Sequence, residues 1–394
     1  MSQLLNERWS ETKDALLEGL QGNRRASMNV CLENTRKYLA ESATAGATSA
    51  GNIATLNRVI LPVIRRVMPT VIANEIVGVQ PMTGPVGQIH TLRVRYADSD
   101  NLVAAGEEAL SPFKIAAGYS GNADSTTSPK AQTTAALEGN PGKRMSIQIL
   151  KSPVEAKSRK LSARWTFEAA QDAQAQQGID IEAEIMAALA QEITAEIDQE
   201  ILSSLRSLAS VEETYDQSLV SGTATFVGDE HAALAIQMNR VSNLIAQRTR
   251  RGAGNWAVIS NQALTILQSA TTSAFARTTE GTFEAPTNTK FVGTLNGAMR
   301  IYVDSYLADT TAQDSNQVLI GYKGASEADA AAFYCPYIPL MSSGVVLDPA
   351  TFEPVVGFLT RYGYVELNNA ASSLGNAADY LGKVAITAAN VSFK

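Results

Sequence analysis

Residues 78–96 read GVQPMTGPVGQIHTLRVRY. Pro81 and Pro85 fix their own φ and bias the residues before them toward extended geometry, while Gly78, Gly84 and Gly87 permit turns that other residues resist. Alternation follows. His90, Leu92, Val94 and Tyr96 fall on one face of a strand and Thr91, Arg93 and Arg95 on the other, the period of a half-buried ribbon. The stretch leads a stiffened turn into a strand and offers neither a nucleophile nor metal-ligand spacing.

Downstream, from Ala97 to Arg144, the pattern dissolves into small polar residues for longer than a compact domain tolerates in a plain loop. Two readings are open. If the flanks pair as a hairpin, about 20 residues each way at roughly 3.3 Å per residue reach on the order of 60 Å, beyond a globule of this size, so the hairpin needs a neighbour to lie on. Otherwise the stretch is disordered.

Further on, IDIEAEIMAALAQEITAEIDQEILSSLRSL (179–208) places Ile181, Ile185, Leu189, Ile193, Ile197, Ile201 and Leu205 every fourth residue, with glutamates elsewhere, which predicts one long amphipathic helix. Gly178 and Asp180 stand where a start signal belongs, and about 28 residues span roughly 40 Å. A second helical run covers Ala232 to Gln247 and ends at RTRRGAG; NWAVIS (255–260) then reads as a buried strand. Asn296-Gly297 predicts a tight hairpin turn in FVGTLNGAMRIYVDSY. VLIGYKG, AAFYCPYIPL and PVVGFLTRYGYVEL read as further strands, with Pro336, Pro339 and Pro354 suggesting edges or bends. Upstream, Leu4 to Leu39 is an amphipathic, charged helical segment, Ser42 to Asn57 a small-residue flexible arm, and the ordered body begins at VILPVIRRVMP. The class is α+β.

Composition narrows the function. The 394 residues are 45% hydrophobic and 18% charged, with net charge −7, enough apolar material for a sizeable core and too little positive charge for tight phosphate neutralisation. Arg24-Arg25 and the run Arg248 to Arg251 read as solvated or interface patches. Cys31 and Cys335 lie far apart without CxxC spacing, which indicates neither a zinc site nor a disulfide framework. No secretion signal and no apolar run of membrane-spanning length is seen, so a soluble protein made in the cytoplasm is expected. His90 and His231 are too few and too isolated for a triad or catalytic metal. GNPGKR (139–144) lacks the glycine and the Ser/Thr of a phosphate loop, and GAG (252–254) leads into a strand where a dinucleotide site would lead into a helix. No catalytic residue and no cofactor are expected.

Several ordered blocks carry a resemblance. GVQPMTGPVGQIHTLRVRY, VEAKSRKLSARWTFEAAQD, the acidic helix, RGAGNWAVIS, FVGTLNGAMRIYVDSY, GYKGASEADAAAFYCPY and FEPVVGFLTRYGY resemble, in order, the major capsid proteins of T-even tailed bacteriophages, across about Val59 to Tyr364. That resemblance implies the Hong Kong 97 capsid fold. The implied division is an N-terminal helical segment and arm (1–58), the start of a peripheral domain (59–92), an E-loop hairpin (93–163), the peripheral domain with its spine helix (164–226), an axial domain (227–344) and a return to the peripheral domain (345–394). The insertion that T-even head proteins carry in the E-loop is expected to be absent, because the chain is short between Tyr96 and Lys151.

The resemblance further implies a non-enzymatic virion protein, assembled in the host bacterial cytoplasm, that self-associates into hexamers, with pentamers left open, and encloses double-stranded DNA without sequence-specific binding or contact with a membrane. Portal, scaffold and decoration proteins are implied as partners. Leu39-Ala40-Glu41 sits where a head-maturation protease would cut, after Glu41. Arg93 and Arg95 are candidates for ionic contact with a neighbour's Glu182 and Glu184. An encapsulin-type compartment and a soluble enzyme remain as alternatives.

Overall fold

The computed structural model describes residues 25–34, 72–99, 103–107, 131–139, 141–177, 180–220, 227–249, 251–270, 275–277, 290–304, 317–326, 329–351, 353–367 and 377–387, together with a few single positions. The expected arm at 42–57, its apolar continuation to residue 71, and Glu41 lie outside the described residues. Of the charged segment expected over Leu4 to Leu39, residues 25–34 are helical.

Two strands, β1 (Gly78–Val79) and β2 (Val86–Tyr96), open the body; β3 (Met145–Glu155) pairs with β2 as an antiparallel ribbon. β4 (Lys157–Arg164) follows, then a helix at Phe167–Gln177 and the spine helix, Ile181–Leu208. The spine begins as expected: Asp180 is its N-cap, and its carboxylate accepts a hydrogen bond from Glu182 N at 3.1 Å, satisfying one of the orphan amides of the first turn. β5 (Val211–Tyr215) leads to a second long helix, Val227–Thr249. It starts five residues before the expected Ala232, because its first turn carries Asp229 and Glu230, which suit the positive end of the helix dipole but break the apolar pattern.

The rest is mainly strand: β6 (Trp256–Ile259), a helix at Asn261–Ser269, β7 (Phe275–Arg277), β8 (Lys290–Leu295), β9 (Met299–Val303), β10 (Gln317–Gly321), β11 (Ala332–Leu347), β12 (Pro354–Glu366) and β13 (Leu381–Ile386). Asn296 and Gly297 have φ of 53° and 69°, and Ala298 N donates to Leu295 O, the turn expected between β8 and β9.

The strands form a seven-stranded mixed sheet, ordered β5-β13-β10-β6-β9-β8-β7, and a four-stranded sheet, ordered β1-β11-β12-β4. Alternation sorts side chains onto the two faces of the larger sheet. Trp256, Val258, Tyr302 and Leu319 pack in one cluster with Ile197, Ile201, Leu202 and Leu205 of the spine. Ala257, Ile259, Val318 and Ile320 pack in the other with Leu234, Met238, Val241 and Ile245 of the second helix. Such two-sided burial explains why these strands read as unbroken apolar runs. Tyr334, Val356, Phe358 and Tyr362 of the smaller sheet join the spine cluster, so one apolar stripe fastens both sheets, each buried side chain contributing roughly 1.5–3 kcal/mol.

The prolines of β11 mark bends, not an edge. β11 lies inside its sheet, and its register against β12 slips between Pro336 and Ile338, between Ile338 and Met341, and between Ser342 and Val345. A residue without an N–H cannot serve the ladder, and bulges accommodate it. The position expected to divide axial from returning peripheral domain, 344/345, falls inside this continuous strand, and both β5 and β13 belong to the seven-stranded sheet.

Candidate assembly surface

The ribbon is paired over its whole length, from Val86 opposite Glu155 to Tyr96 opposite Met145. Eleven residues per strand at about 3.3 Å make roughly 35 Å, shorter than the 60 Å expected, because part of the stretch beyond Tyr96 folds back instead of extending. Ala109 N donates to Val94 O at 2.7 Å and Tyr96 N to Glu107 O at 2.9 Å. Tyr96, Val103, Ala109 and Tyr119 are buried together there, with the two tyrosine rings 4.5 Å apart. Tyr119 Oη donates to Arg144 O at 2.5 Å, and Asp98 accepts from Arg144 N at 2.8 Å and from its guanidinium at 3.3 Å. The backbone and side-chain hydrogen bonds from Arg144 hold the Asp98 carboxyl below the usual range. A small cap with its own apolar centre closes the ribbon.

At the other end the ribbon is rooted. Ala156 N donates to Pro85 O at 2.9 Å, and Val154, Met82, Phe333 and Cys335 are buried in one cluster. Gly363 on β12 makes room for this root: a Cβ there would collide with Val154 Cγ1 and stand 3.2 Å from Glu155 O.

Between cap and root the two faces differ. Residues opposite one another share a face, so Met145 and Ile147 stand beside Tyr96 and Val94, and Ile149 follows two positions on along the same face of β3. Ile147 is 68% exposed, Ile149 61% and Met145 53%. Three large apolar side chains thus stand exposed in a row along β3. Arg95 lies on the reverse face, opposite Ser146, and Arg93, whose side chain lies outside what is described, pairs with Gln148 in the ladder. Sequence reading singled out that arginine face and passed over the apolar row, although MSIQILK alternates plainly enough to have revealed it.

The expected acidic partners are on the first turn of the spine. Glu184 is exposed; Glu182 lines a cleft with Trp165, Phe167, Ile181, Val345 and Pro354. Among the described residues no ion pair joins Arg95 to either glutamate, and the expected contact was between copies. Farther along the spine, the chain's own Arg159 on β4 donates to Glu196 at 2.7 Å, to Glu200, and to Tyr362 Oη at 2.6 Å. Burial raises the Glu200 carboxyl, but hydrogen bonds from Arg159 and Tyr362 outweigh it and leave it lowered. The basic run at the end of the second helix is likewise engaged internally: Arg248 pairs with Glu212 and Arg251 with Asp329, each at 2.6 Å.

His90 is exposed on the ribbon, and His231 is buried with Nδ1 against Ser269 Oγ. Among the described residues no three His, Cys, Asp or Glu side chains gather as metal ligands, and no helix is long and apolar enough to cross a membrane.

Comparison with known proteins decides what the surface belongs to. The family model for the major capsid protein Gp23 matches residues 53–140 and 124–386, most of the chain. The chain belongs to the Gp23 major capsid protein family. This is a family of structural proteins of tailed-phage heads, and its members are not enzymes; the chain is a virion component that associates with its own copies in a capsid. The described residues mix long helices with separate sheets, the α+β class expected. The join between the two matched pieces of the Gp23 model, at 124–140, falls between β2 and β3.

The chain is 29% identical to the major capsid protein of Vibrio phage KVP40, covering 85% of this chain and 81% of that one. It is also 29% identical to that of Enterobacteria phage T4, covering 86% and 80% over 432 aligned positions. That alignment is longer than the chain itself, so the T4 protein carries residues without a counterpart here. Among solved structures, the capsid of Myoviridae phage XM1 aligns with a TM-score of 0.44 at 10% identity, covering 79% of this chain and 88% of that one. The mature capsid of bacteriophage PhiM1 aligns at 0.45 and 11%, covering 79% and 84%.

Proposed function

We propose that this capsid protein closes an icosahedral shell around double-stranded DNA by laying the apolar face of its ribbon across an adjacent copy. The observation that carries the reading is the exposed row Met145, Ile147 and Ile149, projecting on a ribbon whose root and cap are both buried in the chain's own clusters. Burying such a row on a neighbour supplies apolar area, while Arg93 and Arg95 remain candidates for ionic contacts with Glu182 and Glu184 of another copy. Rim charges of this kind set register and encounter rate more than affinity.

In this reading the four-stranded sheet, the ribbon and the spine helix form the peripheral domain, and the seven-stranded sheet with the helices at Val227–Thr249 and Asn261–Ser269 forms the axial domain. Capsomers are hexamers, with pentamers or a separate protein at the vertices. Portal, scaffold and decoration proteins are the further partners, and a maturation protease cuts after Glu41. A net charge of −7 suits a wall that confines DNA without adhering to it.

The test is a double substitution, Ile147→Asp with Ile149→Asp, followed by negative-stain microscopy and sedimentation. A soluble, folded chain that no longer yields shells, or yields at least tenfold fewer, is the expected result. Shells of normal size and number would refute the role given to this face.

A further inference from the structure

The break in β11 leaves a backbone problem that β12 does not solve. Pro336 is opposite Tyr362 and Ile338 opposite Arg361, so Tyr337 has no partner across the ladder. Its carbonyl is nevertheless satisfied, and by the far end of the chain: the Asn34 carboxamide donates to Tyr337 O at 3.0 Å and to Met82 O at 2.7 Å. Cys31 Sγ stands 4.0 Å from Pro336 O. One turn of the N-terminal helix thus touches Pro336 and Tyr337 at the break and Met82 beside it.

The same helix buries its apolar side completely. Met28, Cys31 and Leu32, at spacings i, i+3 and i+4, are 2%, 0% and 0% exposed, which is one face of a helix. Asn34, two positions beyond Leu32, is itself buried. Lys13 pairs with Glu33 at 2.8 Å, so an earlier part of the segment is fastened to the same helix. A tail with no seat would show none of this.

We infer that the place where the chain beyond β1 leaves β11, formed by Met82, Pro336 and Tyr337, is a peptide-binding site, and that its ligand is an amphipathic helix with apolar residues at i, i+3 and i+4 and a side-chain amide at i+6, here Met28 to Asn34. The two backbone carbonyls supply specificity, since a ligand without the amide leaves the buried Met82 O and the part-buried Tyr337 O without this donor. While the chain is continuous the helix is held at high effective concentration by its tether. Once the tether is cut anywhere between the helix and the body, residues 25–34 become a separable ligand. The inference does not rest on shell formation; it bears on the proposed scission after Glu41 only in that such a cut would create the separable form.

The experiment keeps the full chain. A recognition sequence for a site-specific protease replaces part of SATAGATSAGN (42–52), the purified protein is cut under native conditions, and the N-terminal fragment is followed by size exclusion and mass spectrometry. The fragment is expected to remain with the body, to keep Cys31 unreactive toward a thiol reagent, and to be displaced by excess synthetic peptide spanning residues 22–36. Asn34→Ala should speed its loss and Cys31 labelling by tenfold or more, and the same peptide carrying that change should compete correspondingly less well. Immediate release of the wild-type fragment with reactive Cys31 overturns the inference. So does retention that neither Asn34→Ala nor a hundredfold excess of peptide alters, since the fragment would then be held elsewhere.

Discussion

Arg206, in the last turn of the spine helix, donates to Asp304 at 2.6 Å, and the Asp304 side chain is entirely buried at the end of β9. Gln199 donates to the other carboxylate oxygen at 2.8 Å. The charge of Asp304 is held inside the protein by the helix that ties the two sheets together. Arg206→Met removes the cation and leaves that carboxylate uncompensated, which should cost about 3–5 kcal/mol. The measurement is the urea midpoint at pH 7; a loss under 1 kcal/mol would show that Asp304 is satisfied without Arg206.

The Arg159 cluster should reveal itself by acid. Glu200 has a lowered folded-state pKa, so its contribution is present above the unfolded value of about 4.5 and fades as pH falls through the lower folded one. Arg159→Leu is expected to cost roughly 1–2 kcal/mol at pH 7, discounted because the group is partly exposed, and the difference from wild type should shrink below about pH 4. Chemical denaturation of both proteins across pH 3–8 measures this.

Asp198 works in the opposite sense. Its carboxylate accepts from Ile72 N at 2.9 Å in a buried site, and burial, assisted by the Asp304 charge, pushes its pKa up from 3.8 to about 7. An acid whose folded-state value is raised stays protonated while the unfolded chain ionises, so folding loses stability as pH rises from about 4 to 7 and bears the full cost above that. Asp198→Asn keeps an acceptor for Ile72 and removes the titration. The variant should gain on wild type by on the order of 4 kcal/mol between pH 4 and 8, read from the same denaturation series; parallel curves would contradict it.

Gly363 should control the ribbon's angle. Any side chain there meets Val154 at the ribbon's root, and overpacking of this kind costs typically 1–3 kcal/mol. Gly363→Val is expected to keep the spine clusters intact while displacing the ribbon, so hydrogen exchange should accelerate in β2 and β3 but not in β6 or β10. Uniform protection across all four strands would show that the root adapts.

Regular periodicity was legible residue by residue. The spine stripe from Ile181 to Leu205, the Asp180 cap, the Asn296-Gly297 turn and the apolar runs of β6 and β10 are local patterns, decided by the 3.6- and 2-residue repeats and by which residues accept positive φ. Even the exposed row on β3 was written in the alternation of Met145, Ile147 and Ile149; alternation alone does not say which face the fold leaves uncovered.

The chain's own order of residues therefore determined its elements, its α+β class and, through several ordered blocks, its family. Tertiary structure alone decided that β11 would run through a broken register in the middle of a sheet, that Arg159 and Arg248 would be taken up by acids of the same chain, and that Asn34 would close a gap about 300 residues away. The reason is physical: such contacts depend on groups brought together by folding, and a buried carbonyl or carboxylate accepts whichever donor the packing delivers, whatever the distance along the chain.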